Sequence, residues 1–110
     1  MNVLDKYIVT NKCCRAYGQN VWMIGLPDEH GVAVFLNENM RLCIKMSSVR
    51  FVEPQYAAGR IVYDGMYKYA IVCVHHARRY YIAKILEGCY AGVQIGKSPW
   101  DIVPLKAKVL

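Results

Sequence analysis

His75-His76-Ala77-Arg78-Arg79-Tyr80-Tyr81 is the densest run of chemically capable side chains in the chain. Guanidinium groups attract phosphate, and imidazole and phenol rings offer flat faces to an unstacked base. Cations interleaved with aromatics are therefore the mixture that nucleic-acid binding needs. On the alternation of a hairpin, several of these side chains project to one rim together with Lys68. Lys97 and Trp100 extend that rim, followed by Lys106 and Lys108, if the closing strand lies beside the hairpin. The expected ligand-binding set is thus Lys68, His75, His76, Arg78, Arg79, Tyr80, Tyr81, Lys97 and Trp100. The competing structural reading is a solvated hairpin tip whose tyrosines are half core.

Other chemistries are poorly provided for. Cys73 and His75 sit two apart on one strand face, with His76, Cys43 and the adjacent Cys13 and Cys14 as further donors. A structural zinc wants four ligands converging in a tetrahedron, however, and neither C-x2-C nor H-x3-H spacing occurs. A thiolate nucleophile wants a histidine held beside it and an acid to orient that histidine, and nothing specifies such a set. Tyr63, Asp64, Tyr67 and Tyr90 hold the groups of an aromatic cage for a methylated ammonium. Nine tyrosines and two tryptophans are equally what a small β core needs for volume. No metal, cofactor or catalytic residue is expected, and the chain reads as a non-catalytic binding protein.

Composition sets the frame for these residues. Apolar residues are 55% of the 110 and charged ones 20%, which is enough apolar surface to offset ordering entropy in one ordinary domain or two very small ones. No run approaches the roughly 20 apolar residues of a membrane span, and MNVLDKYIV lacks the charged start and long apolar segment of a signal peptide. A soluble, cytoplasmic protein without membrane contact is expected. Five cysteines, an odd number without a framework, fit reduced thiols; Cys43 and Cys73 lie in apolar runs and fit small core hydrophobes. The net charge is +6, and residues 1–55 hold six Lys or Arg against five acids whereas residues 56–110 hold eight against three. The basic excess therefore falls in the second half, where it suits a polyanionic partner.

Short strands must position these groups. Lys6–Thr10, Val21–Leu26, Val32–Leu36, Met40–Lys45 and Arg50–Glu53 are strand-like, with turns at Pro27–Gly31 and Asn37–Asn39 and a single helical turn at Ser47–Ser48. Met40–Lys45 alternates strictly, with Met40, Leu42 and Ile44 on one face and Arg41, Cys43 and Lys45 on the other. After a connection over Gln55–Gly59 the plan restarts. Arg60–Tyr63, Tyr69–His75, Tyr80–Leu86, Ala91–Ile95 and Asp101–Leu105 follow, with turns at Asp64–Gly65, Ala77–Arg79, Glu87–Gly88 and Lys97–Trp100.

An ungapped offset of 50 residues superposes the two patterns: Val21 meets Ile71, Val32 meets Ile82, Ser48 meets Ser98, Val52 meets Ile102 and Pro54 meets Pro104. Such a fixed offset points to two copies of one supersecondary unit. In the second copy, YYIAKILEGCYAGVQIGKSPWDIVPL resembles the back half of an SH3 domain. It has an aromatic pair opening the third strand, a small and a basic residue (Ala83-Lys84), turn glycines Gly88 and Gly92, and a serine-containing helical turn leading to a hydrophobic-Val-Pro end. VAVFLNENMRLCIKMSSVRFVEP has the same ending. The resemblance implies an all-β protein of two tandem SH3-like five-stranded barrels packed together. The first spans residues 1–54, residues 55–59 form a short linker, and a basic second barrel spans 60–110.

Departures narrow what that resemblance carries. Val62-Tyr63-Asp64-Gly65 is similar to the aromatic-acidic motif of the proline-binding groove, but Met66-Tyr67-Lys68 replaces its long acidic loop and Tyr80-Tyr81 stands where a Trp pair is usual. Tudor, chromo-barrel and KOW-type modules, which bind methylated cations, nucleic acid or protein, are the better analogies. Val93-Gln94-Ile95 matches three positions of the Val-Gln-Ile-Tyr segment of type II dihydrofolate reductases, with Gly96 replacing the tyrosine. The expected function is nucleic-acid binding, DNA or RNA, through the basic second barrel. The alternative is a protein-interaction module, or a small inhibitor protein of phage or plasmid type, docking on an acidic partner protein.

Overall fold

A computed structural model describes residues 2–38, 40–75 and 79–105. The chain divides between Gln55 and Tyr56 into two compact units. The first contains β1 (Lys6–Val9), β2 (Asn20–Gly25), β3 (Val32–Asn37), β4 (Met40–Lys45), a 3-10 turn at Met46–Ser48, and β5 (Val49–Glu53). The second contains β6 (Ile61–Tyr63), β7 (Lys68–His75), β8 (Tyr80–Ile85), β9 (Gln94–Lys97), a 3-10 turn at Pro99–Asp101, and β10 (Val103–Pro104). The protein is all-β, with two five-stranded antiparallel sheets ordered β4-β3-β2-β1-β5 and β10-β6-β7-β8-β9. Each sheet is a four-strand meander whose fifth strand returns beside the first. Among the described residues no ladder joins β4 to β5 or β9 to β10.

The strand order is the same in both units, but their registers are not 50 residues apart. Met23 pairs with Phe35 as Ile71 pairs with Ala83, an offset of 48. Tyr7 lies between Val21 and Phe51 as Val62 lies between Tyr69 and Pro104, offsets of 55 for Tyr7, 48 for Val21 and 53 for Phe51. The structural partner of Pro104 is thus Phe51, not Pro54, and that of Ile102 is Val49, not Val52. The second unit shortens its first connection and lengthens its third, so 50 is only an average. A slip of two residues leaves inward positions inward, which is why the apolar patterns of β2 and β3 still matched. At β5 the slip is three and the faces disagree: Val52 is exposed, whereas Ile102 is buried.

Strand alternation places the cores. In the first unit Tyr7, Val9, Val21, Met23, Ala33, Phe35 and Ile44 pack together with Ala16, and Cys14, Leu42, Met46 and Val49 close the margin. Tyr7 meets Phe35 and Phe51 edge-on at 5.5 and 5.6 Å. In the second, Val62, Tyr69, Ile71, Tyr81, Ala83, Ile85 and Ile102 are buried. β2 and β7 each carry a bulge, between Met23 and Gly25 and between Ile71 and Cys73. The extra residue re-aims the strand beyond it. It brings Cys73 opposite Ile82 on the solvent side, and Cys43 lies on the solvent side of β4 beside Arg41 and Lys45; both thiols are exposed rather than core.

Two strand predictions shift. Residues 91–93 belong to the turn after Gly88, since Ala91 N–H donates to Gly88 C=O and Gly92 N–H to Ile85 C=O, so β9 begins at Gln94. Asp101 ends the 3-10 turn, and the closing strand shrinks to Val103–Pro104. The β3–β4 turn puts Glu38 in the left-handed region (φ +52°).

The residues at the unit boundary are individually tethered. Gln55 N–H donates to Asp5 Oδ1 and Asn2 N–H to Asp5 Oδ2, both at 2.8 Å, so the buried Asp5 carboxylate closes the first unit. Tyr56 N–H donates to Tyr81 Oη at 2.8 Å, and its ring stacks on Tyr81 at 5.2 Å. Gly59 N–H donates to Ile71 C=O at 2.7 Å. Because Asp5→Ala leaves two N–H groups without an acceptor in a half-buried setting, it should cost about 1–3 kcal/mol of stability. Urea unfolding measures this, and an unchanged midpoint and slope would refute the role given to Asp5.

Candidate nucleic-acid interface

In the second unit the ladders sort the paired strand residues to one side or the other, Val72 in the β7 bulge excepted. Tyr69 opposite Ile85, Ile71 opposite Ala83 and Val62 opposite Tyr69 are buried pairs and define the inner side. The outer side therefore receives Ile61 and Tyr63 from β6, Lys68, Ala70, Cys73 and His75 from β7, and Tyr80, Ile82 and Lys84 from β8. Gln94 and Gly96 come from β9, and Val103 from β10. No outer strand position is acidic. Lys68, Cys73, Lys84 and Gln94 are exposed on this face. Lys68 and Lys84 are diagonal neighbours, since Lys84 opposes Ala70. Among the described residues neither has an ion-pair partner.

The expected rim is divided by this geometry. His75 and Tyr80 oppose one another at the end of the β7–β8 hairpin, and their rings stack at 5.0 Å and 20°. Arg79 occupies the turn before Tyr80, with φ +58° and its N–H on His75 C=O at 2.8 Å. Lys68 shares their face but stands at the other end of β7, seven residues and roughly 23 Å away. Tyr81 and Lys97 oppose each other on the inner side. Tyr81 is 1% exposed and belongs to the core. Trp100 is half-buried on the second 3-10 turn. His76, Arg78, Lys106 and Lys108 lie outside the described residues.

Lys97 turns inward because Asp64 waits there. Its ammonium lies 2.7 Å from Asp64 Oδ2 and 5.1 Å from the Tyr69 ring centre. Tyr69 Oη donates to the same oxygen at 2.6 Å, and Met66 and Tyr67 N–H both donate to Oδ1 at 2.8 Å. Burial opposes ionisation of Asp64. The bonds from Lys97, Tyr67, Tyr69 and Met66 outweigh it and hold the carboxyl well below the usual range. Burial likewise works against charge on Lys97, but Asp64 raises its pKa overall; burial and then Asp64 push the Tyr69 hydroxyl up. Of the cage residues considered from sequence, Asp64 is thus occupied by the protein's own lysine, and Tyr90 is exposed on the β8–β9 loop. In the sequence Asp64 was legible as a turn residue and as the acid of a cage or of an aromatic-acidic motif, but not as the partner of Lys97. Its carboxylate cap on two following amides is the usual Asx pattern, whereas its bond to Lys97, 33 residues on, leaves no local signal.

Gly96, visible in the sequence only as a departure from the Val-Gln-Ile-Tyr segment, has a packing role in the structure. A Cβ there would stand 2.6 Å from Tyr80 Cε2, so the tyrosine ring lies across the bare backbone of β9 with His75 on its other flank. Among the described residues no cluster of three His, Cys, Asp or Glu could hold a metal, and no helix is long and apolar enough to cross a membrane. No protein-family model matches the chain, and no curated protein sequence matches it.

Two outcomes follow from this geometry. The folded-state pKa of Asp64 lies below its unfolded value of about 3.9, so its contribution to stability is complete above that value and is lost as pH falls below it. In acid titrations of thermal stability, Asp64→Asn should lower stability at neutral pH and flatten the fall below about pH 4; an unaltered acid limb would contradict the network. Ring current from Tyr80 should shift a Gly96 Hα proton upfield in NMR spectra. Tyr80→Ala should abolish that shift and Gly96→Ala should displace the ring, and a wild-type Gly96 at its random-coil position would exclude the packing.

Proposed function

We propose that the protein binds nucleic acid through the outer face of its second unit, and that each unit is a small barrel of the SH3-like group. The barrel reading is supported by the shared strand order, in which the fifth strand lies beside the first after a one-turn 3-10 element. The binding reading is carried by one observation: the outer face of the second sheet holds Lys68, Lys84 and, at the hairpin end, the stacked pair His75 and Tyr80, with Arg79 in the adjoining turn and no acidic strand residue. Cations of one sign on a broad, solvent-facing sheet raise the local potential and attract phosphate. Lys97 and Tyr81 serve the fold of that sheet and leave its outer side to the ligand.

Fluorescence anisotropy with labelled oligothymidylate and with a random-sequence duplex tests this. Binding should be measurable at about 50 mM salt and weaken steeply as salt rises. Lys68→Gln with Lys84→Gln should flatten the log–log salt slope by roughly one to two. Absence of binding, or binding indifferent to salt, overturns the reading.

A further inference from the structure

We infer that the first unit carries a second polyanion surface, on the outer side of its sheet, with Arg41, Lys45 and Arg50 as its cations. This rests on the nucleic-acid reading above and adds a site to it. Summed over residues 1–55 the charge is close to balanced, with six Lys or Arg against five acids, but the structure uses the two signs differently. Asp5 is buried and accepts two backbone N–H groups. Asp28 accepts the N–H groups of His30 and Val32 within its own turn, Glu29 lies 3.4 Å from His30, and Glu53 lies 3.8 Å from Lys6. Glu53 is thus the one acid of the unit beside a lysine, Asp5 is withdrawn from solvent, and Asp28, Glu29 and Glu38 lie on turns and off the strands. Arg41, Lys45 and Arg50 are exposed, and among the described residues none has a carboxylate within 4.0 Å.

Alternation puts these three cations on one side. Ala33 opposite Ile44 and Phe35 opposite Leu42 face the core, so Arg41, opposite Leu36, and Lys45, opposite Val32, face outward. Tyr7 and Val9 are core residues, so Arg50, opposite Ile8 between them, faces outward as well. Arg41 and Lys45 are four residues apart on one strand, roughly 13 Å. Arg50 follows Lys45 across the three-residue turn Met46–Ser48. The one acidic residue at an outward strand position, Glu53, is the partner of Lys6. β4 and β5 are the two edge strands of the sheet, where charged side chains also discourage edge pairing, a role that requires no ligand and that the binding test below separates from phosphate contact. Unpaired cations facing solvent in this way suit the phosphates of a nucleic acid.

The test compares wild type, Arg41→Gln/Lys45→Gln/Arg50→Gln and Lys68→Gln/Lys84→Gln by anisotropy against the same oligothymidylate and duplex. The triple substitution should weaken binding at least roughly tenfold at about 50 mM salt and flatten the salt slope by about two to three. Arg41→Lys/Lys45→Arg/Arg50→Lys should retain both. If the triple variant binds as wild type does while Lys68→Gln/Lys84→Gln is impaired, the nucleic-acid reading stands and the second surface is refuted. If the charge-retaining variant loses binding as fully as the glutamine variant, the effect is not one of charge and the inference also fails. A wild-type protein that binds neither probe overturns both.

Discussion

The Asp64 carboxylate is the constraint on which the second unit depends. It gathers the β6–β7 turn through Met66 and Tyr67, the centre of the sheet through Tyr69 and the edge strand β9 through Lys97. β9 is four residues long and pairs on one side only, so its ladder alone holds it weakly. An exposed ion pair adds little, typically below about 1 kcal/mol. This one is mostly enclosed, with side chains 20% and 11% exposed, and an ammonium buried there without its partner would cost several kcal/mol. The pair therefore acts less as a net source of stability than as a condition on register. β9 can dock only in the setting that delivers Lys97 to Asp64, and a slip by one residue would send the ammonium to solvent and leave the carboxylate with its other three donors.

That register fixes the outer face as well. With Lys97 turned inward, Gly96 must face outward, and a bare backbone there is what lets the Tyr80 ring lie over β9. The residues that form the inner network and those that form the outer platform are thus neighbours in sequence with opposite assignments. In HHARRYY the same parity separates Tyr80 from Tyr81: one stacks on His75 at the surface, the other bonds the Tyr56 amide in the core. Adjacency in sequence suggested a single cluster, whereas a period of two requires adjacent strand residues to part.

Most of the strands were legible because β-branched and aromatic runs bounded by Asn, Asp, Gly and Pro leave few alternatives. Met40–Lys45 showed both its limits and its faces in the sequence. What was not legible depended on longer-range facts. The β7 bulge changes parity in mid-strand, which no local pattern announces, and it moved Cys73 to solvent. The β8–β9 loop extends to Val93 because Gly92 closes on Ile85, although Ala91–Ile95 has a strand-like composition. The repeat was visible through hydrophobic alternation, but alternation is blind to even slips and so could not fix its spacing.

Charge illustrates the same limit at the level of function. A count over each half of the chain placed the basic character in the second unit, because a count treats every acid as available to cancel a cation. In the folded first unit the outward strand positions hold one acid, Glu53, beside Lys6, while Asp5 is buried, the other acids lie on turns, and Arg41, Lys45 and Arg50 stand on the outer side with no carboxylate within 4.0 Å among the described residues. In the second unit Asp64 consumes Lys97, and the cations left on the strands are Lys68 and Lys84. What a partner meets depends on where each charge stands on the fold. By that measure the outer strand positions of the first unit are no less basic than those of the second, and the difference between the units lies in the hairpin end, where only the second stacks an imidazole on a phenol beside an arginine.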